Sequence, residues 1–509
     1  MNAMELHLPA LQVLLPLLGA PLCFLLRKES LASALSVAIS FGCLAISLVL
    51  LGEVLDGDVI VYEFGGWSRP YGIEYRVDIM NAFVLVVVSM IAAVVFAAGP
   101  GQVRRAIPDG AEYLFYSAAL LCLTGLLGVT ITGDVFNVFV FMEISSLSSY
   151  ILISLGQRRR ALMAAFSYLI MGTIGATFLL IGIGLMYQMT GTLNMVDLAE
   201  RLREVSDTRT VYVAVAFVVV GISTKLAVYP LHQWLPNAYS EAPPVVSAFL
   251  AATATKVAYY LLIRFAIGLF GVALVFEDIR IDRILLPLSV LAMFGGSIAA
   301  IYQNDFKRLL AYSSIAQIGY MTLGLSLASQ AGVAAGLVHV FNHALMKGAL
   351  FLVAAAVAWR MGSTKIAVMR GLGQRMPVTM AALVAAGLAL VGVPGTVGFV
   401  SKWALVSAAL EQDHLLLAFL IMASSVLAVV YVWRIVEVVY FGEPDGEVER
   451  RDAPLRLLVP TWVLAGATIY FGLFSGFAVE VAELAAAQIF EAGSATSETV
   501  AIVVSGSGK

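Results

Sequence analysis

The sequence predicts an all-α polytopic membrane protein of about fourteen transmembrane helices, and three observations carry that reading. The 509 residues are 61% hydrophobic and only 12% charged, about half the charged fraction of a soluble domain. Apolar segments of about 20 residues, the length that crosses a bilayer as helix, follow one another almost without pause from Leu8 to Val479. Basic residues collect in alternate loops, as expected of a chain that weaves back and forth with its positive loops inside.

The windows fall at 8–26, 31–52, 79–98, 112–131, 135–155, 161–187, 211–229, 245–272, 284–301, 308–328, 331–358, 378–410, 414–441 and 456–479. The first follows Glu5 rather than a basic residue and lacks a small-x-small cleavage pattern, so it reads as a retained helix. Arg27 and Lys28, Arg104 and Arg105, Arg158 to Arg160, Lys307 and Arg308, Lys365, Arg370, Arg375, Arg450 and Arg451 all follow odd-numbered windows. Loops after even-numbered windows are neutral or mixed, as at Asp56, Asp58 and Glu63, or at Glu277, Asp278, Arg280 and Asp282. Both termini are therefore expected on the outer side. The Ser/Gly-rich stretch from Ala492 to Lys509 is expected to be a disordered tail.

Composition also excludes several functions. A net charge of -3, from 30 basic and 33 acidic residues, gives no footing for nucleic acid. Cys23, Cys43 and Cys122 stand singly in apolar runs, which offers neither a disulfide framework nor a metal cluster. No glycine-rich nucleotide loop follows a strand. No cofactor and no chemistry of its own are expected; the chain is not read as an enzyme.

Two windows are broken. The seventh meets Pro230, Pro236, Pro243 and Pro244, and the twelfth is interrupted by Gly392, Pro394, Gly395 and Gly398. Proline removes a backbone donor and clashes with the preceding turn, so the freed carbonyls need polar partners inside the membrane. Gly221-Ile-Ser-Thr-Lys225 and Gly398-Phe-Val-Ser-Lys402 recur near the two breaks, 402 minus 225 or 177 residues apart. Paired interrupted helices point to an internal duplication with ion sites at the breaks.

A charge at the bilayer centre costs at least about 2.5 kcal/mol, so ionisable residues within windows require explanation. Glu143 sits mid-window with Ser145, Ser146, Ser148 and Ser149 behind it, Lys225 and Lys402 lie by the two breaks, and Lys256 follows Thr253 and Thr255. His339, His343 and Lys347 are spaced i, i+4, i+8 and share one helical face. For Glu143 and Lys225 the alternatives are a static ion pair and a proton-exchanging pair. The second is favoured because a buried pair often stabilises less than an apolar replacement. Snorkelling is the alternative for Lys256, although Arg264 is better placed for it. The two histidines have the spacing of a metal pair but no accompanying glutamate, so a proton relay is the preferred reading and a metal site is not. Asp78 and Asp134 read as helix caps, and Arg434 with Glu437 as a local surface pair. A scaffold with inert polar packing is the remaining alternative.

At these residues the sequence resembles the antiporter-like subunit superfamily, which includes the large membrane subunits of respiratory complex I and of Mrp-type sodium/proton antiporters. The resemblance runs through nearly the whole chain. It is strongest from Asp134 to Glu143, from Ser223 through Pro230-Leu-His-Gln-Trp-Leu-Pro236 to Pro244, and from His339 to Lys347. It implies two inverted five-helix repeats, spans four to eight and nine to thirteen. The corresponding divisions are 1–110, 111–275, 276–445 and 446–509. It also implies a hydrophilic axis with Glu143 and Lys225 as a coupled pair, Lys256 as intermediate and Lys402 as terminal donor. The wording around Glu143, and a lysine at 402, are closer to D-type Mrp subunits. The expected role is thus proton translocation in a multisubunit monovalent cation/proton antiporter of a bacterial or archaeal cell membrane, among other membrane subunits. A proton-pumping subunit of a complex I-like or hydrogenase-like redox complex is the alternative.

Overall fold

Helices account for most of the described residues, and they start where the sequence supplies caps. At the heads of the third, fifth, tenth and eleventh windows, Asp78, Asp134, Asp305 and Ser329 each accept from a backbone N–H three residues on, at 2.8–3.1 Å. These bonds satisfy donors that a helix start leaves orphaned. The computed structural model describes residues 7–107, 110–156, 159–444 and 450–506. Glu5, Arg158 and the expected boundary at 445/446 lie outside the described residues.

Each window coincides with helix. Among the described residues, twelve helices are long and apolar enough to cross a bilayer, including Val135–Ser154, Arg209–Leu226, Pro244–Leu269 and Gln330–Met361. The tenth window forms Phe306–Ser326. The twelfth splits into Pro377–Val391 and Val397–Leu410, each too short to cross alone. Two features depart from expectation. A two-stranded antiparallel ribbon, Ile60–Glu63 against Glu74–Val77, joins the second and third spans. The tail expected to be disordered is instead entered by a final helix, Gly476–Gly506, which packs along the third and eleventh spans.

One backbone clasp recurs. Val135 N–H donates to Leu193 C=O (2.9 Å) and Met195 N–H to Gly133 C=O (2.8 Å); Phe306 N–H donates to Thr364 C=O (2.8 Å) and Ile366 N–H to Asn304 C=O (2.9 Å). The two clasps are offset by 306 minus 135, or 171 residues. The eleventh span is the pillar: all of its membrane window is buried, against 33% for the second, thirteenth and fourteenth. It touches the eighth, tenth, fourteenth and both halves of the twelfth. Its titratable face is therefore at the centre of the bundle.

Candidate functional site

The fifth and seventh spans bring Glu143 and Lys225 together. Lys225 Nζ lies 3.7 Å from Glu143 Oε1, donates to Ser146 Oγ at 2.6 Å and reaches Tyr150 Oη at 3.5 Å. The lysine side chain is 6% exposed and the glutamate 23%. Glu143 shares its helix face with Phe136, Leu147 and Ile151, which are 43%, 51% and 53% exposed, so this carboxylate opens toward the outer wall of the subunit. Lys225 lies in the last turn of its helix before the break, where the Thr224 carbonyl accepts from Ala227 N–H at 3.3 Å and from Trp234 Nε1 at 3.0 Å.

An aromatic seam runs inward from that pair. Tyr150 meets Tyr168 edge-on with centroids 4.7 Å apart, Tyr168 stacks on Trp234 at 3.9 Å, and Trp234 meets Tyr239 edge-on at 6.3 Å. Beyond it the eighth and eleventh spans carry Lys256, His339, His343 and Lys347, all 0% exposed. Lys256 Nζ donates to Ala251 C=O and contacts Thr255 Oγ1 at 3.5 Å. Lys347 Nζ donates to Leu310 C=O at 2.8 Å and to Ser313 Oγ on the tenth span. His339 Nδ1 is 2.9 Å from Ser401 Oγ, and its ring lies nearly parallel to that of His343 at 5.8 Å. Neither nitrogen of His343 has a protein hydrogen-bond partner.

Lys402, at the second break, is 6% exposed. Its Nζ donates to Val391 C=O at 2.8 Å and Leu390 C=O at 3.2 Å and lies 5.1 Å from the Tyr320 ring centroid. The glycine-proline interruption thus leaves carbonyls that a buried ammonium occupies. Asn342 holds the other side of the break, donating to Val397 C=O at 2.7 Å.

Two cavities sit at opposite ends of the eighth span. One, of about 320 Å³, lies at the end of the bundle that carries Arg105 and Lys307 and is lined by Gln102, Glu241, Pro244, Lys307 and Trp359. The other, of about 180 Å³, is lined by Arg76, Asp78, Asn81, Tyr260, Arg264 and Gln488.

Residues 132–428 match the family described as NADH:quinone oxidoreductase/Mrp antiporter, transmembrane. The chain belongs to that family. It is 40% identical to NADH-quinone oxidoreductase subunit N of Desulforudis audaxviator, covering 93% of this chain and 97% of that one. It is 30% identical to the D-type Na(+)/H(+) antiporter subunit of Alkalihalophilus pseudofirmus, covering 92% and 94% respectively. Among solved structures it resembles a chain of the Mrp complex from a Dietzia species, at 26% identity and a TM-score of 0.88, over 96% of this chain and 98% of the other. As a member of this family it is a multi-pass membrane protein and a transporter subunit.

Within the family fold, the residues singled out from sequence divide into groups. Glu143 and Lys225 are a direct pair, and His339 and His343 stack. Lys347 shares their face but turns to the tenth span, while His339 turns to the second half of the twelfth. The Gly221–Lys225 and Gly398–Lys402 patterns are not equivalent in the clasp register: Lys225 precedes its break and Lys402 follows its own. The expected Arg434–Glu437 pair is corrected too, since Arg434 donates to Ile301 and Gln303 carbonyls and to Asn304 Oδ1, closing the end of the ninth span. Sequence alone does not reveal Tyr150, Tyr168 and Tyr239, because aromatic residues in an apolar run carry no periodic signal that separates a polar contact from core.

Proposed function

We propose that this chain is the proton-translocating subunit of a multisubunit monovalent cation/proton antiporter, passing protons along Glu143, Lys225, Lys256, Lys347, His343, His339 and Lys402. One observation carries the reading. Six of these groups are basic and less than a tenth exposed, and of these six only Lys225 has a carboxylate within ion-pair distance. A static scaffold would pair such charges or discard them, because an unpaired buried ion is costly. Lysine on a flexible stem, held by neutral carbonyls and hydroxyls, is suited to giving up and recovering a proton. The histidines supply the relay between the lysines.

The half-exposed face of Glu143 supports assembly with another membrane subunit, which would cover it and bring a second charge to the start of the row. A second reading, a proton-pumping subunit of a redox complex, is favoured by the 40% identity to NADH-quinone oxidoreductase subunit N. Purification of the native complex separates the two: redox subunits favour the pump, small hydrophobic antiporter subunits favour exchange. The test of the shared claim is proton movement in vesicles holding the intact complex. Lys225→Ala and Glu143→Ala are each expected to abolish it while assembly persists. Wild-type rates in both would overturn the proposal.

A further inference from the structure

The smaller cavity closes on a face of the eighth span that also carries an axis lysine. Lys256, Tyr260 and Arg264 are spaced four residues apart, so they stack along one side of the helix, about 6 Å per step. Tyr260 Oη donates to Thr130 C=O at 3.0 Å and accepts from Arg264 Nε at 3.2 Å. Arg264 in turn pairs with Asp78 at 2.6 Å, with side chains 14% and 9% exposed. This pair lines the cavity, whose far wall is the final helix, where Gln488 Oε1 accepts from Ile79 N–H at 3.0 Å. The cavity lies at the end of the bundle with neutral or mixed loops, which the positive-inside rule places outside.

We propose that protons reaching Lys256 from the buried bases of the eleventh span leave the axis there to the outer side, through Tyr260 to Asp78 and the cavity beside it. The inference rests on the axis reading above. In the structure the Lys256 ammonium is turned away, onto Ala251 C=O. The release step requires its four-carbon stem to swing one turn the other way, toward Tyr260. With its O–H turned from Thr130 C=O toward Asp78, the phenol takes a proton from Lys256 as it passes its own to the Asp78 carboxylate; water in the cavity then removes it, and the tyrosine is left as it began. Arg264 is a positioning residue: it fixes the phenol oxygen with Nε and holds Asp78 as the acceptor. Its fixed positive charge opposes passage of metal cations by the same route. A purely structural account treats Asp78 and Arg264 as a latch between the third and eighth spans.

The test uses the intact complex in vesicles. Ala199, half-buried on the cavity wall, is changed to Cys, with exposed Glu204→Cys on the same surface helix as control. An impermeant thiol reagent added from the outer side is expected to cut proton flux at least tenfold in Ala199→Cys and to leave Glu204→Cys unchanged. Tyr260→Phe is expected to lower flux about tenfold with assembly intact. Asp78→Asn, which keeps the helix cap, should lower it similarly, with recovery in Asp78→Glu. Full modification of Ala199→Cys at unchanged flux would overturn the proposal. If Lys256→Ala stops flux while the plugged cavity does not, the outer route falls and the axis stands; wild-type flux in Lys256→Ala overturns both.

Discussion

Gly172→Ala tests whether the Glu143–Lys225 pair works by its spacing, without altering either charge. A methyl group at 172 would overlap the Tyr150 hydroxyl, lie 3.0 Å from its Cζ, and stand 3.2 Å from Lys225 Nζ. Relieving the overlap requires the phenol oxygen to retreat by about 1.5 Å and the ammonium by about 0.4 Å, to ordinary contact distance. At an effective dielectric constant of about 20, attraction over the observed 3.7 Å is about 4.5 kcal/mol and falls to about 4.0 kcal/mol when the ammonium retreats by that much from Glu143. The loss of about 0.4 kcal/mol is about twofold in the paired population, and partial exposure of Glu143 screens this to less than twofold. The assay is proton flux in vesicles, compared with Gly184→Ala on the same helix, where a methyl group would meet nothing within 4 Å. A loss of up to twofold in the first and none in the second is expected. Equal rates in both, with the complex assembled, would refute the idea that pair distance controls transfer.

Other outcomes follow from the same geometry. Gly221 faces Gly175 C=O and Leu179 N–H at 2.6 and 2.8 Å from its would-be Cβ, both backbone atoms that cannot yield. Gly221→Leu should therefore separate the sixth and seventh spans, costing about 3 kcal/mol or more and reducing recovery of assembled complex in detergent. The two histidine rings lie nearly parallel rather than converging on a point, so chelators should leave proton flux unchanged, and His339→Gln should slow flux without altering metal content. Inhibition by chelator, reversed by one added metal, would contradict this.

How much of this was legible in the sequence depended on length scale. Apolar windows identified the helices because lipid demands about 20 apolar residues per crossing, and the proline and glycine clusters marked both breaks. Isolated charges in apolar runs identified Glu143, Lys225, Lys256 and Lys402 for the same reason. What they touch was not legible. Lys347 and His339 share a face, yet their bonds diverge to the tenth and twelfth spans, a matter of tertiary packing. The lysine-bearing patterns 177 residues apart suggested equivalent positions, whereas the backbone clasps repeat at 171. The Asp78–Arg264 pair joins residues 186 apart in sequence, and each alone reads as a cap or a snorkelling side chain. The ribbon at Ile60–Glu63 is too short and too flanked by glycine and proline to stand out. The last part of the final helix, from Ala492, was hidden by a composition that favours disorder.

If the buried bases of the eleventh span carry the proton across the middle of the subunit, removing one of them must stop it. Lys347→Met keeps the length of the side chain and deletes the ammonium between Leu310 C=O and Ser313 Oγ. Proton flux should vanish in vesicles whose complex is assembled to wild-type yield. Undiminished flux at that yield would show that the proton crosses elsewhere.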